Sequence, residues 1–134
     1  IRLSFKSSSG TIPLVVNTSG VITTANSSKR YKENIKPVED AVLDPNGLYD
    51  VQVCQYNYKP EYKDNELVSG TQIGVIAEDL DKHYPNAVIY DSEGRPESWQ
   101  DRIMIPAMLK LIQDQKKQLD ALQAEVDTLK AKLR

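Results

Sequence analysis

"IMIPAMLKLIQDQKKQLDALQAEVDTLKAKLR" occupies residues 103–134, and its apolar spacing decides the architecture. With Ile105, Ile112, Leu119, Val126 and Leu133 at heptad position a, Met108, Gln115, Leu122 and Leu129 fall at d. Eight of these nine positions are apolar. Steps of three and four residues sustained over four heptads keep one narrow stripe on one side of a helix, the pattern of a coiled coil. Glu125 falls at g and Lys130 at the following e, an attractive pair between chains. Gln115 is a polar seam residue of the kind that sets register at some cost in stability. Mixed Ile, Leu and Val at a leave the strand number open. Leu109 and Leu111 widen the apolar face, so the first turns are expected to pack on a globular part and the later turns to protrude. The other reading of the stripe is an amphipathic helix packed along its own domain.

Working back from this stalk, residues 27–102 read as a small mixed part. "DPNG" (44–47) is a strong turn signal, with a helix expected over "VEDAVLD" (38–44) before it. Leu48, Val51, Val53 and the tyrosines 49, 56 and 58 favour strand in "LYDVQVCQYNYKP". "EYKDNELVSG" (61–70) reads as a loop. "TQIGVIAEDLDKHYPNAVIYD" (71–91) reads as strand, short helix closed by Pro85, then strand, with a turn at "SEGRP". Residues 1–26 differ again: rich in Ser, Thr, Val and Ile, they carry short alternating runs ("IRLSF", "PLVV", "GVITT") separated by "SSSG" and "NTSG". Too few strands for a stable sheet alone, they read as the end of a β-rich structure whose body lies upstream. The expected fold class is thus α+β: a short β-rich end of an upstream structure (1–26), a globular part (27–102) and a helical stalk (103–134). The chain begins with Ile, which reads as a fragment of something longer.

Bulk properties remove several function classes. Seventeen basic against nineteen acidic residues give a net charge of −2, with no electrostatic footprint for nucleic acid or an anionic membrane. No apolar run approaches the length needed to span a bilayer, and "IRLSFKSSSG" lacks the apolar stretch of a signal peptide. The single cysteine, Cys54, excludes an intrachain disulfide and reads as a buried core thiol rather than a nucleophile. His83 reads as a surface or C-capping residue, with no second ligand at usable spacing for a metal. Glu78, Asp79 and Asp81 read as a solvated acidic face, and Trp99 and the tyrosines as core and inter-chain contacts. No phosphate-binding glycine loop is present, and no cofactor or metal is expected.

"NSSKRYKENI" (26–35) is the remaining puzzle. By spacing, Ser28 and Lys32 would share a helix face. Ser27 and Lys32, five apart, could meet only across a turn or between chains. A serine is a weak nucleophile until a base takes its proton, and a lysine is a base only when its amine is neutral. On physics alone the stretch is a capped helix start with solvated cations.

Four blocks in order, "SSKRYKENI", "QYNYK", "QIGVIAEDLDKHYPNAV" and "IPAMLKLIQDQKKQL", resemble the C-terminal intramolecular chaperone domain of phage tail spikes, tail fibres and neck appendages. These are the S74 peptidases, a family that includes endosialidase tailspikes and the myelin regulatory factors. The resemblance runs from about Ser27 to the C-terminus. The family's motif Ser-Asp-x-Arg-x-Lys-Glu-Asn is matched at Ser27, Arg30, Lys32, Glu33 and Asn34, with Ser28 in place of the Asp. The resemblance implies a homotrimer that helps the preceding fibre of the same chain to fold, then frees itself by cutting at Asn26–Ser27. Ser27 would be the nucleophile and Lys32 the general base. It also implies folding in a host cytoplasm as part of a virion tail or appendage precursor. The competing expectation is a structural trimerisation cap without proteolysis.

Overall fold

The computed structural model describes residues 13–39, 44–62 and 70–134. The strand expected over "IRLSF", most of the "VEDAVLD" helix and most of the 61–70 loop lie outside them. The chain divides into two units, Ile1–Pro37 and Val38–Arg134.

In the first unit, β1 (Leu14–Val16) and β2 (Ile22–Thr24) form an antiparallel hairpin, with Leu14 opposite Thr24 and Val16 opposite Ile22. The "NTSG" turn has a definite mechanism. The Asn17 carboxamide oxygen accepts from the N–H groups of Ser19 at 3.0 Å and Val21 at 2.9 Å, and Gly20 supplies a φ of 75°. Leu14, Val16, Val21 and Ile22 are all exposed. Two strands with uncovered apolar side chains are marginal by themselves. After the hairpin the chain makes one 3-10 turn, Lys29–Tyr31, and runs irregularly to residue 39.

The second unit opens with a 3-10 helix, Pro45–Asp50. The Asp44 carboxylate caps it by accepting from the Asn46 N–H at 3.0 Å, and Pro45 supplies the first helical φ. This corrects the expectation of strand at Leu48 and Tyr49: the cap and proline outweigh the β preference of two side chains. It also limits the helix expected over 38–44, since Val38, Glu39 and Asp44 are not helical. Gly47 lies against the chain at His83 so closely that a Cβ there would sit 1.9 Å from the His83 carbonyl oxygen. Only glycine lets the two backbones approach in this way.

The strand, helix and strand expected over 71–91 are present as β4 (Gln72–Val75), α1 (Ala77–His83) and β5 (Val88–Tyr90). β4 pairs antiparallel with β3 (Val53–Tyr56), and β5 with β6 (Pro96–Trp99), a short strand the apolar pattern did not reveal. Asp91 organises the β5–β6 turn. Its carboxylate accepts from the Glu93 and Arg95 N–H groups at 2.8 and 2.9 Å and from the Arg95 guanidinium at 2.8 Å. These bonds, the Arg95 N–H first, hold its carboxyl below the usual carboxylate range.

Among the described residues the buried hydrophobic core is small: Leu80, Tyr84, Ala87, Val88, Met104 and Ala107, flanked by Leu48, Val51, Val75 and Ile103. Among the described aromatic residues Tyr84 reaches the core, Tyr56 is half-buried, and Trp99 and tyrosines 31, 49, 58 and 90 are exposed in the single chain. Cys54 is half-buried rather than buried, its thiol 3.8 Å from the Gln52 carbonyl oxygen. The β3–β4 hairpin leaves Val53 and Ile73 more than two-thirds exposed, at 70% and 79%.

Helix α2 (Asp101–Lys132) is the long C-terminal helix. Its first turns pack on the 3-10 helices at 45–50 and 85–87, and the Gln100 N–H bonds the Ala87 carbonyl at 2.7 Å. The inward residues are Met104 and Ala107, with Ile103, Lys110, Leu111 and Asp114 half-buried beside them. Their spacing of three and four traces a second stripe, distinct from the heptad stripe. The heptad residues Ile105, Met108, Ile112, Leu119, Leu122, Val126, Leu129 and Leu133 are all exposed, from 41% at Val126 to 88% at Leu133. The helix therefore has two sides, one spent on its own domain and one left uncovered. Leu109, expected to join the packed side, is exposed as well. Gln115 differs from its seam neighbours, because its Nε2 donates to the Tyr49 hydroxyl of the same chain at 2.9 Å.

Candidate functional site

The chain from Thr24 to Ile35 combines strand, turn and reversal. Thr24 ends β2, and the Ala25 N–H still bonds the Pro13 carbonyl at 3.1 Å, so the hairpin anchors the chain just before Asn26. The Thr24 hydroxyl donates to the Asn26 side-chain oxygen at 3.4 Å. Ser27 follows outside any helix or strand, and Ser28, in extended backbone, caps the 3-10 turn, its hydroxyl accepting from the Arg30 N–H at 3.4 Å. Tyr31 and Lys32 donate their N–H groups to Ser28 and Lys29 carbonyls, both at 3.1 Å. Lys32 then returns to extended backbone, at φ −130° and ψ 146°.

This sequence of conformations brings the Lys32 side chain back over the turn. Its Nζ donates to Ser27 Oγ at 2.9 Å. Spacing alone favoured Ser28 as the partner of Lys32, on an α-helical face. The turn is 3-10 and only three residues long, and Ser28 is engaged in capping, so the hydroxyl within reach is that of Ser27. The pair is made inside one chain.

Asn34 has a φ of 53°, a left-handed conformation that asparagine tolerates better than most residues. It reverses the chain so that Glu33, Asn34 and Ile35 line one open depression of about 640 Å³ together with Ser27, Lys29 and Lys32. Arg30, also part of the motif, does not line it; its guanidinium lies 4.9 Å from the centre of the Tyr31 ring. All these residues are exposed in the single chain. A hydroxyl in contact with an amine can serve as nucleophile and base once the amine is neutral, and removing water from the amine favours that form.

Elsewhere, residues read as solvated acids tie the fold together. The Asp79 carboxylate accepts from the Gln52 N–H at 3.1 Å, and Asp81 accepts from the Tyr90 hydroxyl. The Asp81 bond, foremost, raises the Tyr90 phenol above its usual range. These partners lie far apart in sequence, and no local pattern announces them. His83 ends α1 with its Nε2 3.8 Å from Asp79. Among the described residues no cluster of His, Cys, Asp and Glu is arranged to hold a metal ion, and no helix is long and apolar enough to cross a membrane.

A family model matches residues 27–89: that of peptidase S74, described as chaperone of endosialidase. The match begins at the serine that Lys32 contacts. No curated protein matches the chain.

Proposed function

We propose a function that starts from the family: residues 27–89 of this chain belong to peptidase S74, the chaperones of endosialidase. An intramolecular chaperone role and a self-cleaving kind of peptidase follow from that membership. The finer reading is that the chain trimerises, assists the fibre that precedes it, and cuts itself at Asn26–Ser27 with Ser27 and Lys32.

The observation that carries this reading is the 2.9 Å contact between Lys32 Nζ and Ser27 Oγ. Neutral Lys32 takes the Ser27 hydroxyl proton as Oγ attacks the Asn26 carbonyl carbon. The peptide C–N bond breaks, and Lys32 passes the proton to the departing Ser27 amine. The result is an ester between Asn26 and Ser27 Oγ, which then has to be resolved. The backbone turn needed for this is already folded in one chain, and what the single chain lacks is a dry environment for the amine. A neighbouring copy covering the depression would remove water and switch the base on. Cleavage would then mark a completed assembly. The uncovered heptad stripe of α2 and the exposed apolar side chains of the β1–β2 and β3–β4 pairs support association with further copies.

The test is a denaturing gel of the wild-type chain beside Ser27→Ala and Lys32→Arg. The expected result is two fragments from the wild type and an intact chain from both variants, since Arg keeps charge and length but does not deprotonate. Cleavage that persists in Lys32→Arg contradicts the role given to Lys32, and an intact wild type under assembling conditions favours a structural cap without proteolysis.

A further inference from the structure

The residue whose carbonyl is attacked is an asparagine, and its side chain bears on the fate of the ester. We propose that the Asn26 carboxamide, rather than water, resolves the ester, so that the upstream fragment departs with a C-terminal succinimide. The inference rests on the roles given above to Ser27 and Lys32.

Asparagine Nδ2 reaches its own main-chain carbonyl carbon through a five-membered ring. Such intramolecular attack carries effective molarities on the order of 10⁵–10⁸ M when well oriented, far above the concentration of water. A carboxamide nitrogen is a weak nucleophile, and it gains strength as it gives up a proton and charge builds on Oδ1. The Thr24 hydroxyl donates to that oxygen at 3.4 Å, where it stabilises this charge. Thr24 lies in the paired strand opposite Leu14, so the donor is held by the hairpin and not by a loose segment. Lys32 Nζ stands at 2.9 Å from Ser27 Oγ, placed to protonate the leaving alkoxide. Nδ2 attacking the intact peptide would have to expel an amine instead of an alcohol, so the imide waits for the ester and the Ser27–Lys32 pair controls both steps.

The step balances without a further reactant. The Nδ2–C bond forms and the C–Oγ bond breaks. One Nδ2 proton is taken up by Lys32 and delivered to Oγ. Residues from Ser27 onward keep a free α-amine and a restored hydroxyl, and no water is consumed.

The experiment is intact-mass measurement of the upstream fragment from the full chain, cleaved in heavy-oxygen water and quenched in acid at successive times. The expected first product is lighter than the free acid by one water and carries no heavy oxygen. It later opens to a mixture of asparagine and isoasparagine ends. Asn26→Ala should leave an ester that hydroxylamine cuts and that accumulates relative to wild type, and Thr24→Val should lower the imide share. A wild-type fragment that carries heavy oxygen on an unbranched asparagine end at every time point overturns this inference alone, as does release at the wild-type rate in Asn26→Ala. The absence of any cut in the wild type overturns the reading of Ser27 and Lys32, and this inference with it.

Discussion

Ser28 stands beside the proposed nucleophile and has a separate task, accepting from the Arg30 N–H to cap the 3-10 turn. Where the resembling motif carries Asp, this chain has Ser, and either side chain can cap. The exchange therefore keeps the turn that delivers Lys32 to Ser27. Losing a cap costs about 1 kcal/mol, and if that free energy falls on the turn, Ser28→Ala should slow self-cleavage about fivefold. Ser28→Asp should restore the rate. Fragment yield against time distinguishes the two, and a complete loss in Ser28→Ala with activity in Ser27→Ala would move the nucleophile by one residue. The Ser27–Lys32 contact was not legible from spacing, because five residues match neither a helical nor a strand repeat. It needs a short 3-10 turn followed by extended chain, and only the motif pointed to it. Arg30, equally part of the motif, is not brought to the depression.

Among the elements, α2, a helix of 32 residues, was the most legible, because its apolar periodicity runs over four heptads. The same periodicity was silent about which side packs at home: Met104 and Ala107 belong to a stripe too short to stand out beside the heptads. At Pro45–Asp50 a capping aspartate and a proline prevailed over strand-favouring side chains, and β6 was missed because its four residues begin with Pro96 and do not alternate. The β5–β6 turn gives a pH prediction. Asp91 has its folded carboxyl held below the ordinary range, so its contribution to stability is present above about pH 4 and is lost as pH falls through the lowered value. Asp91→Asn should lower the thermal midpoint at neutral pH and flatten its fall on acidification. Calorimetry between neutral and acid pH reads this, and an acid limb identical to wild type would remove Asp91 from the account.

For the whole molecule, the small core around Leu80, Tyr84 and Met104 sits beside a long apolar stripe that is exposed in the single chain. In the proposed trimer that stripe closes the stalk. Asp at Leu122 and Leu129 would bring charges together where the chains converge, at several kcal/mol per unpaired buried group. The double variant should sediment as a monomer, keep the secondary structure of its globular part, and lose self-cleavage, although both sites lie far along the chain from Ser27. Full cleavage by a proven monomer would leave the Ser27–Lys32 pair working without assembly. The most direct measurement is the intact mass of the downstream fragment from the assembled wild-type chain and from Ser27→Ala at the same oligomeric state. A fragment beginning at Ser27 is expected from the wild type and none from the variant. A fragment with any other start, or one that survives Ser27→Ala, would contradict it.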